Sequence, residues 1–295
     1  MMNRALHRIV SGRAPRKRGA FVLMGLLTLA SVSGCKQMPP APAPEQVAPF
    51  SAGRPGGAYP GGWYALGFSK FRKETHYALV DDCGTTVVEA RANSSSSGLI
   101  EKVHIDPHKY PWLTWRWKVP EPLPVVDNTK REGDDAPARV DVSFDGDFKN
   151  LSFGDRLWAA QVKALTGMDL PYATLEYVWG DGAEPETIII NTWTARIRML
   201  MVQSGSQRLG EWVAEKRNVL EDYRRAFGEE PGMIMTIGII TDTDATSQTA
   251  RAYYGDIAFS QDEPARGDNL EASLSPGGTP PGPKNRDGAQ CPAKE

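Results

Sequence analysis

The stretch Leu113-Thr114-Trp115-Arg116-Trp117-Lys118-Val119 decides how this chain is read. Apolar and polar residues alternate strictly along it, and the side chains of an extended strand point to opposite faces in turn. Leu113, Trp115, Trp117 and Val119 therefore share one face, with Thr114, Arg116 and Lys118 on the other. A helix would scatter both sets around its circumference. The segment predicts a half-buried strand with Trp115 and Trp117 in a core. The same rhythm returns in Arg139 to Asp145, in Ala173 to Trp179, and in Ala195-Arg196-Ile197-Arg198-Met199 after the apolar run Ile188 to Ile190. Met233 to Ile240 is more continuously apolar, as a strand buried on both faces would be, and Tyr253 to Phe259 closes the series. Together these strands predict a mostly-β fold, an antiparallel β-sandwich.

Two stretches break the rhythm. Asp155 to Leu165 predicts a short helix with Leu157, Trp158, Gln161 and Leu165 on one side. Glu211 to Phe227 predicts a longer one, striped by Trp212, Val219, Leu220, Tyr223 and Phe227, with Gly228 placed to end it. Both are expected to be peripheral to the sandwich.

Outside this region the composition changes. Residues 36–60 contain seven prolines among alanine and glycine and predict a semi-extended tether. Residues 263–295 carry six prolines and five glycines with almost no large apolar residue, a disordered composition. The expected organisation is a leader over 1–34, a modified cysteine and tether over 35–60, one sandwich domain over 61–262, and a loose tail over 263–295. All eight tryptophans fall in the domain.

The net charge of −2 hides a split. The first 34 residues hold six basic side chains and no acidic ones, which leaves 28 basic and 36 acidic residues from Cys35 onward. An acidic chain argues against a nucleic-acid partner, whose phosphates call for clustered Lys and Arg. The basic zone 1–19, the apolar run Ala20 to Ala30 and the small residues before Cys35 are laid out as a secretory signal peptide. Eleven apolar residues are too few to span a bilayer.

Val32-Ser33-Gly34-Cys35 resembles a bacterial lipobox. That resemblance implies cleavage before Cys35, acyl chains such as palmitate on it, and stable membrane anchoring. With Lys36 in place of a retention aspartate, the pattern is that of an outer-membrane lipoprotein facing the periplasm. A plain signal peptide with an incidental Cys35 is the alternative. Cys83 and Cys291 remain, and an envelope location would permit them to pair.

Several segments in order have a family likeness: Ser97-Gly98-Leu99, Trp115-Arg116-Trp117-Lys118-Val119, Arg131 to Val140, Val142-Ser143-Phe144-Asp145-Gly146-Asp147, Leu175 to Gly180, Arg196-Ile197-Arg198, Thr241-Asp242-Thr243-Asp244 and Tyr253 to Ile257. They are similar to an uncharacterised bacterial envelope family, domain of unknown function 3047, over roughly residues 63–260. The resemblance implies a sandwich related to galactose-binding-like jelly rolls and carries no activity with it.

The polar faces of the expected strands carry Arg116 and Lys118, then Arg139 and Asp141, then Glu176, then Arg196 and Arg198. Were these strands neighbours, guanidinium forks and carboxylates would interleave in a surface suited to an acidic sugar or a lipid headgroup. The competing reading is a solvated face whose charges pair across strands. Glu132, Asp134 and Asp135, Asp145 and Asp147, and Asp242 with Asp244 are oxygen-rich turns of the kind calcium uses, with Asp242 and Asp244 the candidate pair for a structural ion. None fits the twelve-residue calcium-loop pattern, and no other cofactor is expected. His104 and His108 flank Pro107, which removes the helix needed to present them together. No nucleophile elbow, phosphate loop or dinucleotide fingerprint is present.

The preferred reading is a non-enzymatic envelope lipoprotein whose sandwich binds a glycan, a lipid headgroup or an envelope protein. The alternatives are a hydrolase or lyase acting on envelope polysaccharide and a structural assembly partner.

Overall fold

The computed structural model describes residues 46–68 and 72–264. The expected leader, Cys35, Cys291 and nearly all of the expected tail lie outside the described residues. Twelve strands and two α-helices follow one another: β1 (Tyr64–Gly67), β2 (His76–Asp82), β3 (Thr85–Asn93), β4 (Ser97–Ile105), β5 (Trp112–Lys118), β6 (Ala136–Phe144), α1 (Phe153–Thr166), β7 (Ala173–Gly180), β8 (Ile188–Ile190), β9 (Ile197–Ser204), β10 (Val213–Asn218), α2 (Val219–Phe227), β11 (Ile234–Asp242) and β12 (Thr249–Ser260). They form a seven-stranded sheet in the order β1-β4-β11-β6-β7-β9-β8 and a five-stranded sheet in the order β10-β5-β12-β3-β2. The expected mostly-β sandwich with two helices is what forms. Every pairing is antiparallel except β7 with β9, which run parallel. Among the described residues no helix is long and apolar enough to cross a membrane.

Strand alternation builds the core. Trp115 and Trp117 from the five-stranded sheet meet Tyr177 and Trp179 from the seven-stranded one, at ring-centroid distances of 5.0 Å and 5.8 Å. Val140, Val142, Leu175, Ile237 and Ile239 join them, all fully buried. The residues between these on β6, β7 and β11 necessarily point to the opposite, outer face of the seven-stranded sheet.

Three expectations are corrected. The segment 211–227 is not one helix: Val213–Asn218 pairs with β5 as an edge strand, and the helix starts only at Val219, capped by the Asn218 side chain on the Glu221 amide and closed by Gly228 at φ 71°. The apolar stripe that suggested a helix belongs mainly to the second half, while pairing to β5 claims the first.

The segment 35–60, expected as a tether, enters the fold within its described part. Val47 and Phe50 are buried, Phe50 packs on Trp63 at 4.5 Å, and the Ala48 amide donates to Glu101. Proline content marked this stretch as extended but could not show that an extended segment lies against the sandwich.

In α1, Leu157 and Leu165 are exposed rather than packed with Trp158. The helix itself is capped as a helix should be, by Ser152 on the Asp155 amide and by Gly167 in the left-handed region. Cys83 is disulfide-bonded to a partner outside the described residues.

Candidate ligand face

The outer face of the seven-stranded sheet carries a concentrated set of charges. Arg139 on β6 is 4% exposed and touches three carboxylates: Glu176 at 2.7 Å, Asp134 at 3.0 Å and Asp242 at 3.3 Å. Glu176 lies across from Asp141 in the β6–β7 register. Four carboxyl groups thus share one guanidinium in a nearly dry environment. Burial pushes up the pKa of Asp141 strongly, with Glu176 adding to the effect and Arg139 opposing it. Burial raises Glu176 against the pull of Arg139, and lifts Asp242 to about 7 for the same reason. The charge imbalance is relieved by protons.

Asp141 differs from the others. It is half-buried, and its Oδ1 is sequestered without a hydrogen-bond partner. Across from it on β11 is Gly238, where a Cβ would come within 2.9 Å of the Ile100 methyl, so this position is shaped by a close approach of Ile100. Further along the same face, Ser143 and Thr174 hydroxyls meet at 3.1 Å. On the β8 side, Val178, Ile189, Met199 and Met201 form a small separate apolar cluster.

A rim of aromatic and cationic groups borders the network. The loop between β8 and β9 ties Asn191 to Asp134 and places Trp193 outward, 45% exposed. Trp158 of α1 stacks on Trp193 at 5.3 Å and 22°, and the Arg131 guanidinium lies 3.8 Å over the same ring. Thr194 donates to Asp155, anchoring the start of α1 to this loop.

The structure divides the residues singled out in the sequence. Arg139, Asp141 and Glu176 come together as expected. Arg116 and Lys118 do not join them, because β5 belongs to the other sheet: Lys118 is buried against Asp82 at 3.3 Å, and Arg116 lies over Trp212 at 4.6 Å. Arg196 and Arg198 are also elsewhere. The Leu175–Arg198 register puts Arg198 on the core side, where it donates to the Ala226 carbonyl of α2, while Arg196 pairs with Glu229 at 2.6 Å.

Asp135, Asp242 and Asp244 have ligand oxygens within 4.8 Å of one another. Their oxygens already serve protein donors: Asp135 accepts from the Ala245 and Thr246 amides, Asp242 from Ala136 and Arg139, and Asp244 pairs with Arg72. A cation at Asp242 and Asp244 would have to compete with two guanidinium groups, so no step is assigned to one. Asp134, Trp158, Trp193 and Arg131 were not recognisable from the sequence as one site. A tryptophan in a polar turn, Asn191-Thr192-Trp193-Thr194, was the one available signal.

These features define a class: a two-sheet β-sandwich whose outer sheet face holds a proton-retaining carboxylate network beside an aromatic rim. The chain belongs to the family described as Protein of unknown function (DUF3047), whose model matches residues 61–258. A comparison with curated proteins finds no match.

Among solved structures, a thermostable cellulase derived from Cel12A of Rhodothermus marinus is 10% identical, with a TM-score of 0.36 over 68% of this chain and 96% of that one. Endoglucanase 3 of Trichoderma harzianum, from family GH12, is 7% identical, with a TM-score of 0.36 over 74% of this chain and 97% of its own. An exo-β-agarase is 11% identical, with a TM-score of 0.33, and the match spans 26% of its length.

Proposed function

We propose that this protein is an envelope lipoprotein that binds a carbohydrate-class ligand on the outer face of its seven-stranded sheet. The observation that carries the binding reading is the exposed Trp193, braced by Trp158 and Arg131, beside carboxyl groups that retain protons. An aromatic plane accepts the apolar face of a ring, and neighbouring carboxyl groups offer both donors and acceptors to hydroxyls. The anchoring reading is supported by Val32 to Cys35 and the leader before it. In this reading Cys35 carries acyl chains and holds the domain at the outer membrane, facing the periplasm.

Glycan-array binding by the full chain tests the ligand. Wild type is expected to retain a subset of glycans, and Trp193→Ala to weaken them about tenfold, the loss of one aromatic contact. No binding by wild type, or equal binding by the variant, would sink the proposal. Repeating the array with and without calcium reads whether Asp242 and Asp244 contribute a cation. Palmitate labelling of the wild type that vanishes in Cys35→Ala tests the anchor; label that persists removes it.

A second reading, a hydrolase or lyase acting on polysaccharide, is favoured by one observation. Asp141 and Glu176 are cross-strand neighbours, and only Glu176 has a cation at hydrogen-bond distance. An acid and a base are separated in this way when environments push two carboxyls apart. Asp141→Asn and Glu176→Gln would then abolish product release while leaving array binding in place.

A further inference from the structure

We infer that the outward face of α1 docks in the plane of an anionic lipid surface. Successive residues of a helix turn by about 100°, so Phe153, Leu157, Ala160 and Ala164 fall along one line. Trp158, Ala159 and Val162 fall on the opposite side and are half-buried against the domain. The helix is therefore apolar on both sides, with one side unpartnered. Phe153 is 75% exposed and Leu165, at the edge of the stripe, 78%. Phe148, just before the helix, is exposed as well. An ordinary surface helix keeps charged residues on that side.

Charge selects the occupant. Arg156 and Lys163 flank the apolar line on its outward side, whereas Asp155, the acidic residue of α1, turns inward to Thr194. Asp147 caps the Lys149 amide and Asp169 pairs with Lys163 beyond the helix end. An apolar stripe edged by Arg and Lys is the arrangement of a helix lying in the headgroup region of anionic lipid. A second copy of this chain fits less well. A helix of 14 residues offers a stripe of about 200 Å², against about 800 Å² per partner in a stable interface.

Hydrogen exchange of the full chain with vesicles of phosphatidylcholine alone, or mixed with phosphatidylglycerol, tests the inference. The readout is local, so acyl chains on Cys35 do not by themselves move it. Amides of residues 148–166 are expected to exchange several-fold more slowly with the anionic vesicles and to lose that protection in high salt. The exposed triple variant Phe153→Ser, Leu157→Ser, Leu165→Ser should weaken vesicle binding through this segment at least tenfold, roughly the cost of keeping large apolar side chains in water. Four results would overturn the inference: no protection on anionic vesicles, equal protection on neutral ones, protection surviving in the variant, or protection without lipid that grows with protein concentration. The last would assign the stripe to self-association.

Discussion

Replacing Arg139 by Met would leave Asp134, Glu176 and Asp242 around an empty charge position, with Asp141 one strand-step away. Buried ion groups that lose one partner typically destabilise a fold by about 3–5 kcal/mol, because the remaining charges stay desolvated. Urea denaturation of Arg139→Met at pH 7 is expected to show a loss of that size, and a smaller one at pH 5, where the carboxyls take up protons more easily. A loss below about 1 kcal/mol would mean that water already screens the cluster. Alternation in the sequence was enough to put Arg139, Asp141 and Glu176 on one polar face. It could not pair them with Asp134 and Asp242, because loop carboxylates have no phase and Asp242 is 103 residues from Arg139. The acids of the Asp242 turn therefore resembled calcium ligands in the sequence, whereas in the fold Asp242 is engaged by a guanidinium.

Elements show where periodicity stops being informative. The phase of β9 was misassigned from Arg196 and Arg198, which alternate with Ile197 and Met199. The following run Met199-Leu200-Met201-Val202 is apolar at every position, so either parity could face the core. Packing chooses Leu200 and Val202, and α2 supplies the Ala226 carbonyl that lets Arg198 sit on the inner side. A similar ambiguity hid β10, since Val213 to Asn218 has neither a clean two-residue nor a clean helical pattern. Its identity comes from hydrogen bonding to β5. The end of α2, by contrast, was legible, because Gly228 occupies the left-handed region at φ 71° with no neighbour near its would-be Cβ. Gly228→Ala is therefore expected to cost about 1 kcal/mol through backbone strain alone. A change under a few tenths of that in a denaturation midpoint would mean that the turn relaxes.

At the scale of the whole molecule, the sandwich stores several carboxyl groups where charge is costly, and this sets its response to pH. Glu215 on β10 is raised by burial to about 7, although the Gln203 amide and the Trp117 indole donate to it. Asp242 on the other sheet is raised to about 7, and Asp141 and Glu176 shift in the same direction. Between the ordinary carboxylate range and about 7 the native state holds protons that the unfolded chain has released. Stability must then fall as pH rises through that window. The opposite case is Glu186, held down to about 2 by Arg217 and Arg225. Its contribution is present above the ordinary carboxylate range and is lost as pH falls toward 2. The thermal midpoint is therefore expected to peak near pH 5 and to be lower at pH 8. Glu215→Gln isolates one contributor, since the amide oxygen still accepts from Gln203 and Trp117 while nothing titrates. The variant should match wild type near pH 5, lose less stability on the way to pH 8, and gain up to about 3 kcal/mol over wild type there, the linkage equivalent of the Glu215 shift. An unchanged pH slope would show that water reaches Glu215 between the sheets, and the carboxylate network around Arg139 would then be left to account for the whole effect.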